Sequence, residues 1–309
     1  MFKILYIQDS HIKGKNPENR LGNYYQDVMT KIKEVIKIAK KNKVKYIIHG
    51  GDLYESELVS NVMVDEFIDL VEKAEIQWLI LPGNHDEIGH SWELSKASSL
   101  AHIFRRSKYI EQLTNMGYTD AITSAEIEGF KYYHNIEQSL KEKGLISNFP
   151  TAKYKISIVH AMITLKPLPF ECMHVVAKDI KTDFDVVLVA HNHHGWGIKE
   201  INGTKFVNIG CIGRRKIDEK DIKPSCLLID TDTKELKIIE LKSAKPAEEV
   251  FDLAKVTEQK EFEEDINNFI ESLTNIKLEG LDIRGIVEMI GKEKKIEREV
   301  IDEVIRRLE

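Results

Sequence analysis

The sequence has 309 residues, of which 42% are hydrophobic and 31% charged, with a formal net charge of −6. That supplies one large domain and a small appendage, and the weak acidic balance gives no global basic footprint for a polyanion. Cys172, Cys211 and Cys226 form no CxxC pair, which excludes a disulfide framework and a thiolate zinc site.

In chain order, residues 2–7 read as a buried strand, and polar Gln8 and Asp9 follow at once. This is unlike a secretory leader, so a cytoplasmic location is expected. Residues 10–22 are polar and carry Gly14, Pro17 and Gly22, the composition of a loop. Val28, Ile32, Val35, Ile36 and Ala39 recur at helical spacing and predict an amphipathic helix over 24–41. Residues 44–48 form a short strand that stops at Gly50-Gly51. Met63, Phe67, Leu70 and Val71 mark a second helix, and 78–81 a third strand closed by Pro82-Gly83.

Residues 100–106 read as helical, and 125–133 as a hairpin turning at Glu128-Gly129. Two apolar strands follow at 155–159 and 186–190, the latter far too short to span a bilayer. A hairpin around Asn202-Gly203 and a strand pair over 226–241 come next. Beyond Lys242 the pattern becomes purely helical. Stripes run through Phe262, Ile266, Phe269, Ile270 and Leu273, then Ile283, Ile286, Val287 and Ile290, then Ile296, Val300, Ile301, Val304, Ile305 and Leu308. A boundary near 243–246 divides a domain of residues 1–242 from a helical appendage of 243–309. The appendage carries about −7 of the net charge and the rest about +1.

The chemistry-bearing residues cluster at strand ends. Asp9 and His11 follow the first strand, and Asp52 follows the second. Asn84, His85 and Asp86 follow the third, His160 ends the strand at 155–159, and His191 and His193 follow 186–190. Ligands of α/β sheets are bound beyond the carboxyl ends of strands, so five such loops can converge. Carboxylate, imidazole and amide oxygen suit borderline divalent metals, and a pair of ions needs a bridging carboxylate. Any one of these short motifs fits an ordinary turn; their recurrence after five strands does not.

In this order, Asp9-x-His11, Gly51-Asp52, Gly83-Asn84-His85-Asp86, His160 and His191-x-His193 resemble the calcineurin-like metallophosphoesterases over about residues 1–240. The resemblance implies an α/β fold: a two-sheet αββα sandwich holding two divalent ions, manganese first, with iron, zinc or nickel as alternatives. It implies that Asp9, His11 and His193 hold one ion, that Asn84, His160 and His191 hold the other, and that Asp52 bridges them. His85 would contact the phosphate and protonate the leaving oxygen, steered by Asp86. Ala190 stands where the family usually has Gly, tolerable unless its φ is positive.

Within that superfamily the opening 8–14 with Arg20, the Asp52-Leu53-Tyr54 segment, and Asn208-Ile209-Gly210 followed by Arg214 are most similar to the SbcD-type DNA repair nucleases. A manganese-dependent exo- or endonuclease acting by hydroxide attack on a phosphodiester is the implied activity. An SbcC-type ATPase and a homodimer are the implied partners besides DNA. Some members carry His three residues after the bridging Asp; here it is Glu55, an acid expected to repel phosphate unless it points away. Arg214 and Arg215 are the expected phosphate contacts. A small-molecule phosphodiesterase using the same metals is an alternative, as is a non-catalytic scaffold. The serine/threonine phosphatase pattern Gly-Asp-x-x-Asp-Arg is absent.

Overall fold

A computed structural model describes residues 2–90, 92–113, 118–120, 125–255, 257, 262, 264, 266–268, 283–293 and 295–308. The chain divides into two compact units, Met1–Val250 and Phe251–Glu309.

Two six-stranded sheets build the first unit. Strands β1 (Lys3–Ile7), β2 (Tyr46–His49), β3 (Gln77–Ile80) and β4 (Ile110–Gln112) run parallel. Strand β5 is Tyr118–Asp120, β6 is Ala125–Phe130, β7 is Tyr154–Ala161, and β8 (Ile163–Thr164) pairs with β9 (Val175–Val176). Strand β10 is Val186–His191, β11 is Gly197–Ile201, β12 is Thr204–Asn208, β13 is Ser225–Asp230 and β14 is Leu236–Glu240. The first sheet has the order β14-β13-β1-β2-β3-β4, with β13 and β14 antiparallel at one edge. The second is β11-β12-β10-β7-β6-β5, parallel from β12 to β6 with antiparallel strands at both edges.

Strand alternation explains the layers. Ile4 and Tyr6 of β1 enter the core between the sheets, with Ile48, Leu79, Ile156, Ile158, Leu188 and Val207. Leu5 and Ile7 point the other way, onto helices. Both faces are covered, which is why these strands read as unbroken apolar runs. Helix α1 (Tyr24–Lys41) presents Val28, Ile32, Val35 and Ala39 to that outer core, alongside α2 (Asn61–Ala74). The Asn23 side chain caps α1 by accepting from the Gln26 N–H at 3.0 Å. On the far side, Val159, Ala161, Val187 and Val189 pack with Ile136 and Leu140 of the helix Ile136–Lys143. The arrangement is the expected αββα sandwich.

The hairpin at Asn202-Gly203 forms, both residues having positive φ (52° and 84°). The hairpin expected over 125–133 does not. Glu128-Gly129 lies inside β6, which runs straight alongside β7 through Phe130. Gly129 serves close packing there: a Cβ would come within 2.6 Å of Leu113 and 2.8 Å of Leu81.

Residues 242–250 stay with the sandwich. The N–H groups of Lys242 and Ser243 donate to Glu34, and Leu21 N–H donates to Val250 O. In the second unit, helices Ile283–Glu293 and Arg298–Leu308 share a core of Ile266, Val287, Ile290, Val300, Ile301, Val304 and Ile305. Phe269, Ile270 and Leu273 lie outside the described residues, and so do the side chains of Ile283 and Ile286. Among the described residues no helix is long and apolar enough to cross a membrane.

Lys31 is a polar residue on the buried face of α1. Its ammonium donates to Ile212 O at 3.0 Å, and burial, with Arg214 and Arg20 nearby, pulls it down to about 7. Between that value and its ordinary 10.5, the unfolded chain holds a proton that the folded chain does not, so folding stability rises with pH across this window. Lys31→Met is expected to raise stability at pH 7 by on the order of 2 kcal/mol and to flatten the rise toward pH 10. Urea melts at pH 7 and pH 10 check this; an equal effect at both would refute it.

Candidate metal centre

The strand ends that carry candidate ligands meet at one end of the sandwich, beyond the carboxyl ends of strands from both sheets. Strands β1, β2 and β3 are parallel, so their carboxyl ends emerge together, and β7 and β10 do the same in the second sheet. Pairing continues past the sheet into the loops. Asp9 N–H donates to Gly51 O at 3.2 Å, His11 N–H to Asp52 O at 3.0 Å and Ile12 N–H to Leu53 O at 2.9 Å. Within these loops Asp9, His11 and Asp52 have φ of 49°, 46° and 53°, and His191 has 77°. Non-glycine residues seldom adopt positive φ, and clusters of them mark functional sites. Ala190, where the family usually has Gly, has no positive φ; the left-handed residue is the next one, His191.

All seven expected ligand residues come together. His11 Nε2 lies 3.0 Å from His193 Nε2 and 3.6 Å from Asp52 Oδ2. The same Oδ2 is 3.4 Å from His160 Nε2, which is 3.2 Å from Asn84 Oδ1. Donor atoms of Asp9, His11 and His193 form one group within 4.8 Å, and those of Asp52, His160 and His191 form another. Asp52 thus stands between the two sets of imidazoles. Gly83 permits this closeness, because a Cβ there would strike the Asp52 carboxylate and the His160 ring.

The set fits divalent cations in its chemistry as well as its spacing. His160 Nδ1 donates to Gly50 O at 2.9 Å, which leaves Nε2 as the inward-facing lone pair. The Nε2 atoms of buried His11 and half-buried His193 lie 3.0 Å apart, so both rings turn the same nitrogen toward one point. Burial pushes the Asp52 carboxyl up, but His160 and His11 outweigh it and hold it well below the usual range. Burial alone would lower His160, yet Asp52 raises it to about 9. Burial and the neighbouring His160 bring His191 down to about 3. These coupled charges are what a cation displaces, since metal ligands must shed their protons.

His85 sits at the rim. Its N–H donates to Asp52 Oδ1 at 2.9 Å, and its Nδ1 donates to Glu55 O at 2.7 Å. The expectation that Asp86 steers His85 is therefore corrected. The Asp86 carboxylate instead accepts the N–H groups of Gly83, Leu53 and Tyr54 at 3.0–3.3 Å, pinning the β3 loop to the β2 loop. Burial and the nearby Asp52 push it up to about 7 despite these donors.

Arg214 and Arg215, the expected phosphate contacts, are both engaged within the protein. Arg214 is 3% exposed and donates to the carbonyls of Lys220 and Lys245, tying residues 214–245 together. The Arg215 guanidinium pairs with Glu55. Glu55 turns toward His11, with Lys13 3.3 Å from its other oxygen; burial would raise it, but His11 and Arg215 hold it down to about 2. The acid that replaces the family's His is thus neutralised from within.

Several contributors escaped the sequence reading. Gln8 donates to Asp9 Oδ2 at 3.0 Å and to Asn208 Oδ1 at 3.2 Å, aiming the Asp9 carboxylate. His49 accepts from Gly51 N–H and donates from Nε2 to Ser10 Oγ at 2.7 Å, cross-linking the first two loops. Glu219 accepts from His193 Nδ1 at 2.6 Å. A His just before the Gly-Gly turn was the one available signal among these.

The DNA double-strand break repair protein Mre11 of Saccharolobus solfataricus is 23% identical over 214 residues, covering 68% of this chain and 54% of that protein. Mre11 of Sulfurisphaera tokodaii is 26% identical over 213 residues, covering 67% and 52%. The chain thus spans about half the length of these relatives. A solved crystal structure at 15% identity aligns over 78% of this chain and 99% of its own, with a TM-score of 0.50, a likeness of fold. The sequence model of the calcineurin-like phosphoesterases matches residues 2–197, every candidate ligand included, and the chain belongs to that family.

Proposed function

We propose that this chain is a two-metal phosphodiesterase that cleaves DNA, a nuclease of the SbcD type working with manganese. The observation that carries it is Asp52, whose Oδ2 lies 3.6 Å from His11 Nε2 and 3.4 Å from His160 Nε2. Asp9, His11 and His193 would hold one ion, Asn84, His160 and His191 the other, and Asp52 both. Ions so held supply charge neutralisation of the phosphate and activation of water for in-line attack. The likeness to Mre11 proteins favours a phosphodiester of DNA over a small-molecule substrate.

His85 is suited to proton transfer. Its Nδ1–H is engaged by Glu55 O, so the proton it gives away leaves from Nε2 to the departing oxygen. Asp52 Oδ1 fixes the backbone of His85, so one carboxylate orients both the proposed ligand set and the proton donor. Asp86 acts one step back by holding the two loops in register.

Two outcomes test this. With manganese, the full chain is expected to cleave end-labelled DNA and leave cyclic AMP untouched; the reverse preference would overturn the nucleic-acid substrate. His85→Ala is expected to lower kcat on DNA by roughly 10²–10⁴, and by much less on bis-p-nitrophenyl phosphate, whose leaving group needs no proton. Equal losses on both would remove His85 as the donor.

Metal dependence has its own readout. Chelator-treated protein is expected to gain about 5–10 °C in Tm on adding manganese at a hundredfold its Kd, and Asp52→Asn to lose that gain. A Tm indifferent to manganese, iron, zinc and nickel alike would exclude the metal centre.

A further inference from the structure

The two sets of imidazoles are backed differently. On one side, His160 Nδ1 donates to a neutral backbone carbonyl, that of Gly50, at 2.9 Å. On the other, both rings face carboxylates. His193 Nδ1 donates to Glu219 Oε1 at 2.6 Å, and His11 Nδ1 lies 3.1 Å from Glu55 Oε2, though off the line of a good hydrogen bond.

Glu219 is built to hold one orientation. It is 1% exposed, on a single helical turn (Ile217–Glu219). Its second oxygen accepts the N–H of Arg215 and, at 3.1 Å, the N–H of Lys216. One oxygen is thus committed to the backbone and the other to His193. Burial would push this carboxyl up, but His193 and the two N–H donors hold it down to about 2. Arg215 joins the two carboxylates, its N–H on Glu219 and its guanidinium on Glu55. A single residue therefore braces the supports of both His11 and His193.

We propose that Glu219, braced by Arg215, is a positioning residue that fixes the His193 ring with Nε2 inward and makes the Asp9–His11–His193 position the tighter of two unequal cation positions. A carboxylate behind a ligand histidine locks its tautomer and strengthens it as a donor, and loss of such a partner typically weakens metal binding roughly 10–100-fold. The bond from His193 to an anion outlasts thermal rotation of the ring better than a bond to a neutral carbonyl, because charge-assisted hydrogen bonds are about twice as strong. The Arg215 guanidinium on Glu55, with Lys13 3.3 Å from the other Glu55 oxygen, balances the two carboxylates in formal charge.

This inference rests on the metal-centre reading above, and the experiment separates the two. Chelator-stripped full chain is titrated with Mn²⁺, with calorimetry for affinities and electron paramagnetic resonance of free Mn²⁺ for stoichiometry. Wild type is expected to bind two ions in separable steps; binding none would sink the metal centre itself. Glu219→Ala is expected to weaken the tighter step roughly 10–100-fold and leave the weaker step within about threefold. Glu219→Gln keeps an acceptor for His193 Nδ1 without the charge, and is expected to recover only part of the loss, the remainder reading the contribution of the charge. Arg215→Met, which keeps the N–H donor and drops the guanidinium, is expected to fall between wild type and Glu219→Ala. Equal weakening of both steps in Glu219→Ala, or two unchanged steps in a variant whose metal-free Tm matches wild type, would refute the positioning role while leaving the metal centre standing.

Discussion

The buried Asp52 carboxylate is the constraint on which the rest depends. A carboxylate withdrawn from water is costly unless charge and hydrogen bonds replace its hydration. Here imidazoles on both sides and the His85 N–H supply that replacement. Reaching this place requires loops from five strands to converge, and convergence requires left-handed backbone at Asp9, His11, Asp52 and His191. Each such residue costs about 1–3 kcal/mol unless its side chain favours the conformation. Aspartate is among the residues that tolerate it best, and two of the four are aspartates. The strain is held because the ladder between β1 and β2 extends beyond the sheet as far as the Ile12–Tyr54 bridge. The sheet and the strained loops after β1 and β2 are thus continuous.

What the sequence displayed follows from this economy. Strands buried on both faces show themselves as apolar runs, and the Gly and Pro that end them are needed where chains approach closely. Helix α1 was visible because its buried positions keep strict helical spacing. The β6 misreading has the same root. Gly129 resembles a turn residue, but it is there because Leu113 and Leu81 leave no room for a side chain. Local pattern cannot tell a glycine that turns the chain from one that lets another chain pass.

Residues acting through long-range partners stayed hidden for a different reason. Gln8 and Asn208 are two hundred residues apart, and neither looks chemical alone. Glu219 lies in a run of charges from Arg214 to Asp221 that has the composition of a solvated turn. In that run the basic residues looked informative and the acid did not, whereas the fold uses them together. Arg214 is sunk into backbone carbonyls, and Arg215 is divided between two carboxylates. Charge type was legible; charge pairing needed the third dimension.

That pairing bears on how an anion would be received. Isolated guanidiniums beside a phosphate site attract substrate and product alike and do so wherever phosphate occurs. Internal pairing of Arg215 with Glu55 removes one such source, and burial of Arg214 removes another. Asp9 and Asp52 bring carboxylates to the centre, and the imidazoles beside Asp52 offset part of their charge. Two divalent ions held there would make the centre net positive between the imidazole sets, where attack would occur. Attraction for a phosphate would then be strongest at that one position. The Glu55–Arg215–Glu219 connection, by pairing the Arg215 guanidinium away from that point and orienting ligands toward it, serves the same end as the buried carboxylate with which it shares His11.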